Sequence, residues 1–136
     1  MALPADPALP LADLKILDFS WVGVGPITVK YLADHGATVL RVESQARLDV
    51  TRLGPPCHEA KAGIERSQFY ASFNTSKYSL ALDLSRPEAR VLARRLAAWA
   101  DVVVESFTPK VMRSWGLAWD DLHAQNPRLV MLSTCL

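Results

Sequence analysis

The sequence predicts an α/β fold, a Rossmann-like doubly wound parallel sheet with helices on both faces. Three observations predict it. Five short apolar runs alternate with stretches of helical spacing, the connections between runs are long enough to be crossovers, and glycine, proline or hydroxyl residues punctuate the junctions. Residues 15–44 set the pattern. Ile16, Leu17 and Phe19 make a run too short for a helix and unalternated, as in a strand buried on both faces, with Asp18 its one polar interruption. Gly23 and Gly25 read as a tight turn, and Pro26, lacking an amide hydrogen, as the first helical residue. Ile27, Tyr31 and Leu32 share a helical face, and His35-Gly36 ends the helix. Val39, Leu40 and Val42 form the next strand. About 14 residues between two strands is a crossover length, so the pair is parallel and the connection right-handed.

Residues 1–13 are rich in proline and alanine and read as an irregular lead-in to a domain over 14–136. A polar stretch over 45–68, containing Gly54-Pro55-Pro56, has no sustained periodicity and is long for an idle connection; it reads as a loop excursion, a lid or partner-binding element. Order resumes at Phe69. Residues 79–84 read as the third strand, and Ser85-Arg86-Pro87-Glu88 as a capping box that opens a helix. That helix places Ala89, Leu92, Ala93, Leu96 and Ala100 on one face, with Arg90, Arg94 and Arg95 on solvated ones. The valine-rich run 101–105 is a central fourth strand. Thr108 and Pro109 open another helix as cap and first residue, Gly116 closes it, residues 119–125 form a short helix stopped by Asn126-Pro127, and 129–132 form the fifth strand.

Composition narrows the function classes. In 136 residues, 15 basic and 14 acidic side chains leave a net charge of +1, which gives no field to attract nucleic acid or an anionic membrane. No apolar run approaches the roughly 20 residues of a membrane helix, and the N-terminus lacks the basic start of a signal peptide, so a cytoplasmic location is expected. Cys57 and Cys135 have no metal-ligand spacing and read as two unpaired thiols. No metal set is clustered. His35, His58 and His123 are scattered over caps and loops, and Ser20, Ser106 and Cys135 have no defined base, so no nucleophile constellation is visible.

The chemistry gathers at strand ends. Residues 20–25, 82–85 and 105–108 each close a strand and precede a helix, so three sets of unpaired amides face one edge and favour a phosphate-bearing ligand. A nicotinamide dinucleotide is one possibility: Gly23, Gly25 and the ribose-binding acid Glu43 fit its fingerprint, but Thr28 stands where the third glycine belongs.

Taken in order, LADLKILDFSWVGVGP (11–26), YLADHGATVLRVE (31–43), NTSKYSLALDLSRPEAR (74–90), ADVVVESFTPKVMRSWGL (100–117) and NPRLVMLS (126–133) resemble the N-terminal part of family III CoA transferases, a group that includes formyl-CoA and carnitine CoA transferases and the related α-methylacyl-CoA racemases. The resemblance implies a CoA transferase or, as the alternative, an α-methylacyl-CoA racemase, with coenzyme A, as acyl-CoA, for the substrate, a carboxylate acceptor for the partner of a transferase, no metal, and a homodimer of two interlocked chains. Carried over by position, Gly23 and Val24 line the first turn, Leu82, Asp83, Leu84 and Ser85 the second, and Ser106, Phe107 and Thr108 the third. The frequent arginine before the W/L/M-G pair is Ser114 here, with Arg113 as its substitute one position earlier. The basic residue after the second strand's glutamate is Ser44, with Arg41 or Arg47 as substitutes, and of an N-K-R tripeptide only Lys77 remains, in Ser76-Lys77-Tyr78. The family's nucleophile is an aspartate that attacks the thioester. Asp18, Asp34, Asp83 and Asp101 do not match it, so the resemblance implies a fragment truncated after its fifth strand, inactive alone and prone to self-association around Val130 and Leu132.

Overall fold

Each of the five apolar runs is a strand, and all pair in parallel. In the computed structural model, which describes residues 9–134, the sheet order is β3-β2-β1-β4-β5. The strands are β1 (Lys15–Phe19), β2 (Thr38–Glu43), β3 (Tyr78–Ala81), β4 (Val102–Glu105) and β5 (Val130–Ser133). The helices are α1 (Val24–Asp34), α2 (Gln68–Phe73), α3 (Pro87–Trp99), α4 (Pro109–Ser114) and α5 (Trp119–Gln125). Leu17 stands opposite Leu40 on one side and Val103 on the other, which puts the least polar runs at the centre. Alternate strand residues feed two cores. Ile16, Val39 and Val104 pack under Val29 and Ala33 of α1, while Leu17, Phe19 and Val103 pack under α3, α4 and α5 through Ala93, Met112 and Leu122. Val130 and Leu132 on β5 are exposed.

Several local expectations shift. α1 starts at Val24, so Pro26 is its third residue; proline is tolerated there because the first-turn amides have no intrahelical partner. The turn before it draws its left-handed residue from Val22 (φ 67°), not from either glycine. Gly25 serves close approach instead: a Cβ there would lie 2.3 Å from Ser20 Cβ. Gly36 does take positive φ (107°) after α1. β3 is shorter than 79–84 and begins at Tyr78; its last link is Leu82 N–H to Glu43 O, after which the chain turns away. The capping box does not form. Pro87 takes the first helical position, so Arg86 is the cap, and the Ser85 amide donates to Asp83 Oδ1 instead. Thr108 caps α4 by position but makes no side-chain bond there. Along α3 the buried stripe is Ala89, Ala93 and Ala97, with Leu92 on the exposed flank.

The 45–68 excursion is structured. It contains two 3₁₀ turns, Val50–Leu53 and His58–Ala60, and is pinned by Asp49, Arg52 and Ser67, all buried. Cys57 is half-buried, while Cys135 and residues 1–8 of the lead-in lie outside the described residues. Among the described residues no helix is long and apolar enough to cross a membrane, and no group of His, Cys, Asp or Glu is placed to hold a metal ion.

Candidate functional site

The strand order reverses between β1 and β4, and ligands of open α/β sheets bind outside the carboxyl ends of strands at such a point. A cleft of about 420 Å³ opens at that edge. One wall is aromatic. Trp21 follows β1, Phe107 follows β4 and Trp115 ends α4; their rings meet edge to face, with centroids 5.6 Å apart for Trp21–Phe107 and 5.1 Å for Phe107–Trp115. The opposite wall is the chain leaving β3, from Leu82 to Ser85. Arg47 stands at the mouth, exposed and without an ion pair among the described residues. Arg90 also lines the cleft, but its guanidinium is spent on the carbonyls of Leu84 (2.8 Å) and Ser85 (3.1 Å), fixing the β3–α3 connection. Asp83 accepts from the Ser85 side of its own turn, and this hydrogen bonding holds its carboxyl below the usual range.

Behind the cleft, on the α1 face, lies a buried ionic layer. Asp18, Arg41, Asp49 and Glu43 are at most 6% exposed, and the Lys77 side chain is 2% exposed. Lys77 Nζ donates to Asp18 Oδ2 (3.1 Å), Pro26 O (3.0 Å) and Asn74 Oδ1 (3.0 Å), which uses all three of its hydrogens. Burial lowers its pKa, opposed by Asp18. Arg41 pairs with Asp49 at 2.5 Å, and Arg52 pairs with Glu43 at 2.8 Å while lying 3.6 Å from the centroid of the Tyr70 ring. Burial pushes the Glu43 carboxyl up, but hydrogen bonds from Arg52 and the Asp49 amide outweigh it and hold the group below its ordinary range. Three cations and three carboxylates thus neutralise one another: Arg41, Arg52 and Lys77 with Asp18, Glu43 and Asp49. Unpaired, each would carry a desolvation cost of several kcal/mol.

Residues 11–135 match the family model of CoA-transferase family III. The chain belongs to that family. Among family III relatives, a succinyl-CoA:D-citramalate CoA-transferase of Chloroflexus aurantiacus is 36% identical over 93% of this chain and 30% of its own length. A succinate:glutarate CoA-transferase of Agrobacterium fabrum is 37% identical over 91% of this chain and 32% of its own. A crystal structure of a CaiB/BaiF family protein from Brucella suis superposes with a TM-score of 0.82 at 38% identity, over 92% of this chain and 33% of that one. The chain therefore spans about a third of the length of the relatives it matches.

The ten positions carried over from the family III resemblance fall into three groups. Leu82, Asp83, Leu84, Ser85 and Phe107 line the cleft, Leu84 with its side chain buried in the core. Gly23, Val24, Ser106 and Thr108 flank it at the starts of α1 and α4; Ser106 Oγ accepts from Trp21 N–H at 2.7 Å. Arg113 lies apart, in a second hollow between α4 and β5. Of the alternates, Arg41 is excluded from ligand contact by burial and its pairing with Asp49, and Lys77 is committed to the ionic layer. Trp21 and Trp115 escape sequence reasoning, although each is an aromatic residue beside a helix boundary, where an aromatic ring serves a ligand wall as well as a core.

Proposed function

We propose that this chain supplies the CoA-binding part of an acyl-CoA:carboxylate CoA-transferase. The observation that carries the reading is the cleft at the reversal point, which has an aromatic wall and, at its mouth, a guanidinium with no ion pair among the described residues, and which the starts of α1 and α4 flank. Adenine is accommodated against Trp21, Phe107 and Trp115, since a flat heteroaromatic ring stacks on such side chains. The phosphates meet the first amides of α1, ahead of the Ile27 N–H to Gly23 O bond, together with Arg47. The donors and acceptors in the names of the relatives, succinyl-CoA with small carboxylates, suggest a dicarboxylate substrate class. In this mechanism an aspartate attacks the thioester carbonyl and expels CoA as thiolate. The thiolate attacks the aspartyl carbonyl of the resulting anhydride, which releases the donor as its carboxylate and leaves an aspartyl-CoA thioester. The acceptor carboxylate displaces the thiolate to form a second anhydride, and the thiolate attacks its acceptor carbonyl, giving the new acyl-CoA and freeing the aspartate. That aspartate is assigned to a part of the enzyme outside these residues by the family resemblance; around the cleft itself, Asp83 is tied into its own turn, and Asp18 and Asp49 behind it are buried in ion pairs. A homodimer in the cytoplasm belongs to the same reading.

Calorimetric titration of the chain with CoA, ADP and NAD is the test. CoA and ADP bind, with NAD weaker; NAD binding with indifference to CoA would overturn the proposal. Gly23→Val lowers CoA affinity about tenfold by blocking the backbone's approach. A Cβ at this position meets nothing within 4 Å in the protein, so that loss reports on the ligand and not on the fold.

A further inference from the structure

The turn between β1 and α1 is strained and is held from outside itself. Val22 has φ 67°, a left-handed conformation that is strained for a β-branched residue. Its own packing does not hold it there, for half of the residue is exposed. Hydrogen bonds to three consecutive residues do. Ser20 O accepts from Arg41 Nη1 at 3.1 Å, Trp21 N–H donates to Ser106 Oγ at 2.7 Å, and Val22 N–H donates to Asp49 Oδ2 at 3.1 Å. Arg41 and Asp49 are themselves an ion pair, 1% and 0% exposed in their side chains, so a single buried pair grips the turn on both sides of Trp21.

Asp49 is fixed independently of the turn. Its Oδ1 accepts from Thr51 N–H (2.9 Å) and Thr51 Oγ1 (2.7 Å), and its own amide donates to Glu43 Oε1 (2.9 Å). It belongs to the 45–68 excursion, 27 residues from Val22. Stability alone is a weak reason for such a pair, because well-packed apolar residues in place of a buried ion pair are often neutral or better. A directional acceptor for one strained amide is something an apolar residue cannot supply. Trp21, the residue between the two grips, forms part of the aromatic wall of the cleft.

We propose that Asp49 is a positioning residue: from the excursion it locks the β1–α1 turn in its strained form and so sets Trp21 and the first amides of α1 for the ligand. The inference rests on the CoA-binding reading only for the identity of that ligand.

The test uses Asp49→Asn and, as a control, Ser67→Ala. Ser67 anchors the same excursion by donating to Thr51 O and capping α2, but does not touch the turn. Two quantities are read on folded protein well below the melting midpoints: CoA affinity, and hydrogen exchange of the Trp21, Val22 and Gly23 amides. Asp49→Asn speeds exchange at these amides at least tenfold and weakens CoA about tenfold, while Ser67→Ala changes neither. If Asp49→Asn does not fold, Arg41→Lys, which keeps the charge but shortens the reach to Ser20 O, is read in the same way. Unchanged exchange in the folded variant overturns the proposal, as does faster exchange with unaltered CoA affinity. Should the wild-type chain ignore CoA, the CoA-binding reading falls, and the exchange measurement still decides whether Asp49 holds the turn.

Discussion

Gly25→Ala probes the most tightly enclosed of the glycines. A Cβ at Gly25 lies 2.3 Å from Ser20 Cβ and 2.5 Å from Ser20 Oγ, whereas unstrained carbon contacts sit at about 3.5–4.0 Å. More than 1 Å of overlap must therefore be absorbed by movement. Ser20 has no room to yield: it is fully buried, and both its amide and its hydroxyl donate to Asp18 Oδ1, in a carboxylate that also carries Lys77. Overpacking of this kind costs about 1–3 kcal/mol, and loosening one of these buried hydrogen bonds adds about 1 kcal/mol. Alanine's better helix propensity offsets about 0.5–1 kcal/mol. The net expectation is a loss of about 2–3 kcal/mol, which at a urea slope of about 1–3 kcal/mol/M lowers the unfolding midpoint by roughly 1–2 M. Gly23→Ala, two residues away, meets open space and shifts stability by less than about 0.5 kcal/mol. Equal midpoints for wild type and Gly25→Ala would refute the reasoning, since the crossing of α1 over Ser20 would then not be close-packed.

Two predictions concern the ionic layer. Lys77→Met removes one counter-charge of the buried Asp18 and leaves Arg41 at 3.9 Å; the expected loss is about 3 kcal/mol in urea melts, and a variant as stable as wild type would show that Lys77 is dispensable to the layer. Glu43 has a folded-state pKa held below its ordinary 4.5, so its stabilisation is complete above that value and is lost as pH falls through the lower folded one. Urea midpoints measured from pH 7 down to about pH 4 and below therefore fall less steeply for Glu43→Gln than for wild type, and parallel curves would remove Glu43 from the acid transition.

The sequence alone determined the order and kind of the five strands and of α1, α3, α4 and α5, because strand and helix periods and turn residues are local properties; α2 and the two 3₁₀ turns before it carry no such pattern and are not predicted by it. The runs around Leu17, Val39 and Val103 are legible as buried strands since apolar residues dominate them, with Asp18 and Arg41 as polar interruptions, and 119–125 as a helix since Asn126-Pro127 stops it. The three strand ends that face one edge followed from the parallel pattern. Boundaries were less legible where two local signals competed: at Ser85 a capping box and a proline each claimed the start of α3, and the proline's fixed φ won. Pairings between distant residues were decided by the tertiary structure. Lys77 and Asp18 are 59 positions apart, and Asp49 and Val22 are 27 apart, so no local pattern marks Lys77 or Arg41 as spent on burial rather than free for a phosphate. The same holds for the glycines: sequence shows that Gly23 and Gly25 sit at a turn, but only the packing of α1 against Ser20 decides that Gly25 is there for space and that Val22 bears the strain. A charge reads as polar in any sequence; whether water or another charge solvates it depends on which strands lie side by side.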